Sequence, residues 1–336
     1  MKTEVREMTV LRAIAIVSIF FAHLHGYVDL SVLSKVSSVS ANICVALFVF
    51  VSGYCLALGK DIVKFREVFD FLWRRLRKIY KLYIPALVLF LVVYEYNDPN
   101  KFVSFLIHLA SLQVLLAECV IQYRTIWFIG LIVPYYVLFA FSGYMASNNR
   151  HLKKAALLVL FFAALYLSRL YIICDSRFFF NAPAFALGVF LCERGYFQTK
   201  KFTWNVYVKC AAASVAIIAL YVVFKNVSVL SPLAPLAKTG IKIAYVCMIP
   251  LSVLLCLQIP FVEKAAHFRL IDILSGCSFS IFLFHRLILT AAQTTFGFLH
   301  IENANILFVL YVFIVIPFAV IPIAYAIQKL ADREWR

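Results

Sequence analysis

Charge is what this sequence has least of. Only 14% of its 336 residues are Asp, Glu, Lys or Arg, against about a quarter in soluble proteins. Acids are scarcer than bases, 16 to 32. The longest hydrophilic stretch, near 60–81, is no more than a loop, which leaves no room for a soluble domain beside the apolar segments. The nine cysteines form no C-x-x-C pair and lie mostly within apolar segments, so neither a disulfide framework nor a zinc site is indicated. No G-x-S-x-G, H-E-x-x-H or P-loop pattern occurs. No small-residue cleavage site follows the first apolar segment, which is therefore expected to be an uncleaved span rather than a signal peptide.

Apolar residues fill the space. They make up 64% of the chain, and the mean hydropathy is +0.93. A helix needs ~20 mostly apolar residues to cross a bilayer. Suitable segments lie near 9–28, 41–59, 79–96, 126–145, 154–173, 178–193, 205–224, 240–260, 272–296 and 304–329. The expected fold is an all-α membrane bundle of about ten transmembrane helices, forming a single domain over 1–336. A further apolar stretch, 101–117, is interrupted by His108 and Gln113.

The net charge of +16 points first to the positive-inside bias and not to nucleic acid. Loop 60–81 carries eight bases, from Lys60 to Lys81, and is expected in the cytoplasm. If 101–117 does not cross, the basic segments 146–153, 194–204, 261–271 and the C-terminus fall on that same side. Both termini are then cytoplasmic, and 101–117 is an interfacial or re-entrant helix on the outer side.

Polar residues inside apolar segments are the candidates for chemistry, because an ionisable group within a span is costly and normally faces the bundle interior. In "RAIAIVSIFFAH", Arg12 and His23 are eleven residues apart. On a helix that spacing returns to within about 20° of the start and separates them by about 16 Å along the axis. In "WRRLRKIYKLYIP", Arg74, Arg77, Lys78 and Lys81 fall at i, i+3, i+4 and i+7 and form one basic stripe. In "CSFSIFLFHRLIL", Ser278 and His285 share a face seven residues apart. Each feature also has a plain structural reading. Arg12 could snorkel to lipid phosphates, the stripe could anchor the cytoplasmic face, and each histidine could simply satisfy a neighbouring helix.

Taken together, these stretches resemble the acyltransferase 3 family of integral-membrane O-acyltransferases, over nearly the whole chain and in that family's order. Arg12 and His23 resemble its R-x10-H first span. "LFVFVSGYCL" resembles its F-x-x-S-G-x-x-L second span. "RRLRKIYKLYIP" resembles its R-x-x-R approach to the third. "IWFIGLIVPYYVLF", "FFFNAPAFALGVFL" and "SFSIFLFH" resemble its tryptophan–tyrosine, F-x-x-G and C-terminal histidine segments. Many members place a glutamate a few residues after that tryptophan. Here Leu131, Ile132 and Val133 occupy the region, so no glutamate is carried over.

The resemblance implies transfer of an acyl group, in the first instance acetyl, from cytosolic acyl-CoA to a hydroxyl of a cell-surface glycan or its lipid-linked precursor. Arg12, Arg74, Arg77 and Lys78 would hold the donor's phosphates, since the arginine fork suits phosphate. His23 would act as base or as acyl carrier, with His285 as an orienting group. No metal or permanently bound cofactor is implied, and the expected location is a multi-pass position in a bacterial inner membrane. Two other readings stay open at this point. One is a transporter or flippase of a glycan or lipid precursor, with Arg12 and His23 as a polar pathway. The other is a non-catalytic membrane scaffold. Oligomeric state is not legible.

Overall fold

The computed structural model describes residues 5–28, 31–94, 100–123, 125–149, 153–168, 170–199, 203–226, 234–300 and 306–333. Among them there are helices and turns and no β-strand. The helices are α1 (Arg6–Leu24), α2 (Ser31–Ala57), α3 (Phe65–Val93), α4 (Lys101–Leu109), α5 (Trp127–Ser147), α6 (Lys154–Leu167), α7 (Ser176–Glu193), α8 (Trp204–Asn226) and α9 (Ala234–Cys256). They continue with α10 (Pro260–Ala266), α11 (Arg269–Gly276), α12 (Ser278–Phe298), α13 (Ile306–Leu310) and α14 (Ile316–Arg333). A π-helical turn, Tyr311–Val315, joins the last two.

Four helical segments are long and apolar enough to cross a membrane on their own: Arg6–Leu24, Val39–Ala57, Trp127–Ser147 and Lys238–Cys256. A fifth is added if α11 and α12, bent by 75° at their junction, make one span. The chain is thus a multi-pass helical membrane protein. The other expected spans do not meet that criterion, for local reasons. The first half of α3 is charged, and α6 has only 14 residues.

Lipid tails are as apolar as leucine, so helices in a bilayer are held by close contact and polar bonds rather than by the hydrophobic effect. The centre of the bundle shows this. α2 crosses α7 with the backbones touching: a methyl on Gly53 would run into the Phe185 carbonyl, and one on Gly188 into the Phe50 carbonyl. Tyr135 of α5 packs its ring 5.1–5.2 Å from Phe162, Phe178 and Phe185 and donates its hydroxyl to the Phe178 carbonyl. That side chain ties α5, α6 and α7 into one block. α1 lies against α2, α11 and α12, and an Arg6–Asp272 ion pair fixes its start.

Segment 101–123 forms the nine-residue α4 and then a series of turns. Nine residues rise about 13 Å, less than half of the ~30 Å hydrocarbon thickness. His108 is fully buried there, stacked on Tyr123 at 3.9 Å. Its Nδ1 lies 2.7 Å from the Ser104 carbonyl, and its Nε2 accepts the Tyr123 N–H. Tyr83 of α3 donates to the His108 carbonyl at 2.7 Å, which pins the segment to the bundle.

Candidate active site

His23, one residue before the end of α1, and His285 of α12 stack face to face, with ring centroids 5.2 Å apart and planes 18° from parallel. Each lies on a face of its own helix, and the fold brings the two faces together. His285 has no exposed surface. Its Nδ1 lies 2.9 Å from the carbonyls of both Ile281 and Phe282. Carbonyls only accept, so the ring proton resides on Nδ1 and Nε2 keeps its lone pair. That Nε2 is buried and has no hydrogen-bond partner among the described residues. An imidazole anchored by Nδ1–H with a free Nε2 is the arrangement that lets a histidine take up a proton. Ser278, two turns earlier, donates to the Ser275 carbonyl at 2.8 Å and does not join the pair.

Arg12 lies about 16 Å along α1 from His23 and lines a cavity of about 580 Å³. α1, α2, α3, α5, α12 and α14 all contribute to its wall. Its polar lining includes Arg12, Ser52, Arg75, Lys78, Lys81 and Tyr136. Among the described residues no Asp or Glu lines it. Arg12 reaches Cys55 at 3.1 Å, and Lys81 donates to the Ala331 carbonyl at 2.5 Å, which closes the wall against α14. The apolar part of the lining is an aromatic cluster of Phe48, Phe128 and Phe282 with centroids 5.2–6.2 Å apart. Phe282 precedes His285 by one helical turn, so the cavity runs from four cations to within about 5 Å of axial rise of the histidine pair. Four positive side chains line one recess, and among the described residues no acid lines it with them, so its field favours a polyanion.

The basic stripe of α3 presents a different set of residues to this cavity from the expected one. Lys78 lines it, but Arg74 and Arg77 line an adjoining recess of about 820 Å³ together with Asp61, Glu67 and Asp70. Arg75 and Lys78 lie between the two. In angular terms the basic residues that α3 presents to the cavity, Arg75, Lys78 and Lys81, are centred about 50°, half a residue step, from the stripe read at i, i+3, i+4 and i+7. The start of α3 is fixed by Glu67, whose carboxylate accepts the backbone N–H groups of Lys64 and Val63. Those bonds hold its carboxyl below the usual carboxylate range.

Beyond the histidine pair, away from Arg12, stands a second polar group. The hydroxyls of Tyr27, Tyr94 and Thr290 lie 2.7–3.1 Å from one another, and both tyrosines reach the Arg286 carbonyl at 3.2–3.3 Å. Trp127, the first residue of α5, lies under the Arg177 guanidinium at 3.8 Å. Asp175 caps α7 beside it. Burial pushes its carboxyl up, but the bonds from Arg177 outweigh this and hold it below its ordinary range. Ile132, in the region where the resembled family often has a glutamate, lines the main cavity, so no carboxylate enters the cavity from that position.

Sequence reasoning did not single out Arg75, Tyr136 or Arg286 for the site. Arg75 was visible only as one more base in a basic loop. Arg286 was visible only as the residue after His285.

The sequence model of a family described as an acyltransferase domain, the third such family, matches residues 5–324. No curated protein and no solved structure matches the chain.

Proposed function

The chain belongs to the acyltransferase 3 family, and on that footing we propose that it moves an acyl group, acetyl in the first instance, from cytosolic acyl-CoA to a hydroxyl of a cell-surface glycan or its lipid-linked precursor. The observation that carries this reading is the placement of Arg12 and His23 on one face of α1. One lines a cationic cavity and the other stacks on a histidine with a free nitrogen.

Arg12, Arg75, Lys78 and Lys81 bind the phosphates of the donor, and charged hydrogen bonds from arginine forks fix its orientation. Arg74 and Arg77 act at the adjoining recess as an outer funnel that attracts the same anion. The apolar lining past Phe48, Phe128 and Phe282 takes the uncharged arm, which carries the thioester towards the histidine pair. Neutral His23 removes the proton from the acceptor hydroxyl as its oxygen attacks the thioester carbonyl, then returns that proton to the departing thiolate. Alternatively, His23 takes the acyl group first and hands it to the acceptor. His285 holds the ring of His23 by stacking and offers a second site for the proton. The basic loops and both termini are cytoplasmic in this arrangement, with about ten crossings of a bacterial inner membrane, and 101–117 stays on the outer side.

The test is turnover of labelled acetyl-CoA by the purified protein in nanodiscs, supplied with the deacylated glycan of its own cells. Label should pass to the glycan with release of free CoA. A protein that carries glycan across a vesicle membrane and leaves the thioester intact would instead be a transporter. Reporter fusions at 146–153 should read as cytoplasmic; an external signal there would make 101–117 a span.

A further inference from the structure

Arg286 is the charged residue of this site that acyl transfer, as described, leaves without a task. It sits eight residues after the start of α12 and twelve before its end, about 12 Å and 18 Å along the axis. A guanidinium so far from either helix end is costly unless something pairs with it. Its Nε is buried and has no hydrogen-bond partner among the described residues. Among the described residues no carboxylate pairs with it. Its head lies over the turn that follows α1: the guanidinium carbon is 6.0 Å from the Tyr27 ring centroid, and a methyl on Gly26 would meet Nη2 at 3.9 Å. The Tyr27 and Tyr94 hydroxyls grip the Arg286 carbonyl, so the backbone that carries this cation is fixed. α1 stops at Leu24 while α12 runs on. The cation therefore occupies the step where α1 ends, beside the histidine pair and on the side away from the donor cavity.

We propose that Arg286 receives an anionic oxygen group, a carboxylate or a phosphate, that the acceptor carries close to the hydroxyl to be acylated. A planar fork of N–H donors matches a pair of anionic oxygens. An uncharged acceptor would leave the partly buried guanidinium desolvated and unpaired, and sites built around such a group discriminate strongly against ligands that lack its partner. The acceptor class is therefore an acidic or phosphorylated glycan rather than a neutral one. This inference rests on the acyl-transfer reading above.

The experiment uses the polysaccharide of cells that carry the protein. NMR should place the acyl group on a sugar that bears a carboxylate or phosphate, or on one bonded directly to such a sugar. The deacylated polysaccharide is then offered to the full-length protein in nanodiscs in three forms: untreated, carboxyl-reduced, and freed of phosphate. The acyl-CoA supplied matches the acyl group that NMR identifies. Wild type should lose roughly 10- to 100-fold in acceptor kcat/KM, the range of a lost charged hydrogen bond, on whichever treatment removes the anion. The effective treatment distinguishes carboxylate from phosphate. Arg286→Gln should lose about as much on untreated glycan, be indifferent to both treatments and bind acyl-CoA normally. Arg286→Lys should keep part of the preference. A wild type equally active on all three forms would overturn the inference while leaving acyl transfer intact, and so would an Arg286→Gln protein impaired equally on charged and neutralised glycan. Absence of transfer to any form by wild type would overturn the acyl-transfer reading itself, and this inference with it.

Discussion

His108 and His285 are both buried to zero exposure in apolar helical surroundings, yet their bonding differs. His108, in the folded-back segment after α4, uses both nitrogens: Nδ1 on the Ser104 carbonyl and Nε2 on the Tyr123 N–H. Its ring lies flat on Tyr123. His285 uses only Nδ1, lies against another histidine, and leaves Nε2 unpartnered. Burial therefore does not mark the reacting histidine. A buried polar atom without a partner costs ~1–3 kcal/mol, so the one that remains open is the one to examine for chemistry. His108 is a structural rivet, and His285 with His23 is a candidate reaction centre.

The largest effect expected from breaking this contrast is at the pair itself. His23→Ala should lower acyl transfer by ~10²–10⁴-fold, as loss of a positioned acid–base group does, with donor affinity and folding retained. His285→Ala should fall within the same range if it shares the proton and below it if it only orients His23. Steady-state rates on the two purified variants separate these roles.

Next come the cations that feed the pair. Arg12→Gln, Arg75→Gln and Lys78→Gln should each weaken acyl-CoA binding by ~1.5–3 kcal/mol, read by calorimetry. Arg74→Gln and Arg77→Gln should do less, because those side chains share their recess with Asp61, Glu67 and Asp70. Equal losses at all five positions would show that the half-step turn of α3 has no bearing on donor binding.

His108→Ala sharpens the contrast from its other side. It should destabilise the protein by ~1–3 kcal/mol through the lost bonds to the Tyr123 N–H and the Ser104 carbonyl, measured by thermal unfolding in detergent. Activity per folded molecule should stay unchanged. The smallest effect is expected at His25, which is exposed and bonds only back to the Ala22 carbonyl at 3.2 Å. His25→Ala should alter the rate by no more than about twofold, in keeping with the small effect of ordinary surface changes.

Helical periodicity made part of this site readable in the sequence. The eleven-residue spacing of Arg12 and His23 fixes their shared face whatever surrounds them. A glycine at position 53 permits the close crossing that α2 makes with α7 there. Tertiary placement hid the rest. No local pattern could show that His23 lies against a residue 262 positions away in the chain. The phase of α3 could not be fixed by a stripe of five bases crowded into eight positions, since rotating the helix by half a step still presents basic residues. The number of crossings was not readable either. Hydropathy sees one apolar run at 272–296, whereas the chain bends by 75° between α11 and α12. Arg286 stands in the sequence only as the residue after His285, and the burial of its Nε is a product of the fold.

The most direct measurement is the rate of labelled acetyl transfer from acetyl-CoA by wild type, His23→Ala and His108→Ala, reconstituted in nanodiscs at equal folded concentration, with acetyl-CoA affinity measured on the same samples. The account predicts a collapse of ~10²–10⁴-fold for His23→Ala at unchanged affinity, and near-wild-type turnover for His108→Ala. Full activity in His23→Ala would contradict it, and the stacked pair would then be packing in an apolar bundle.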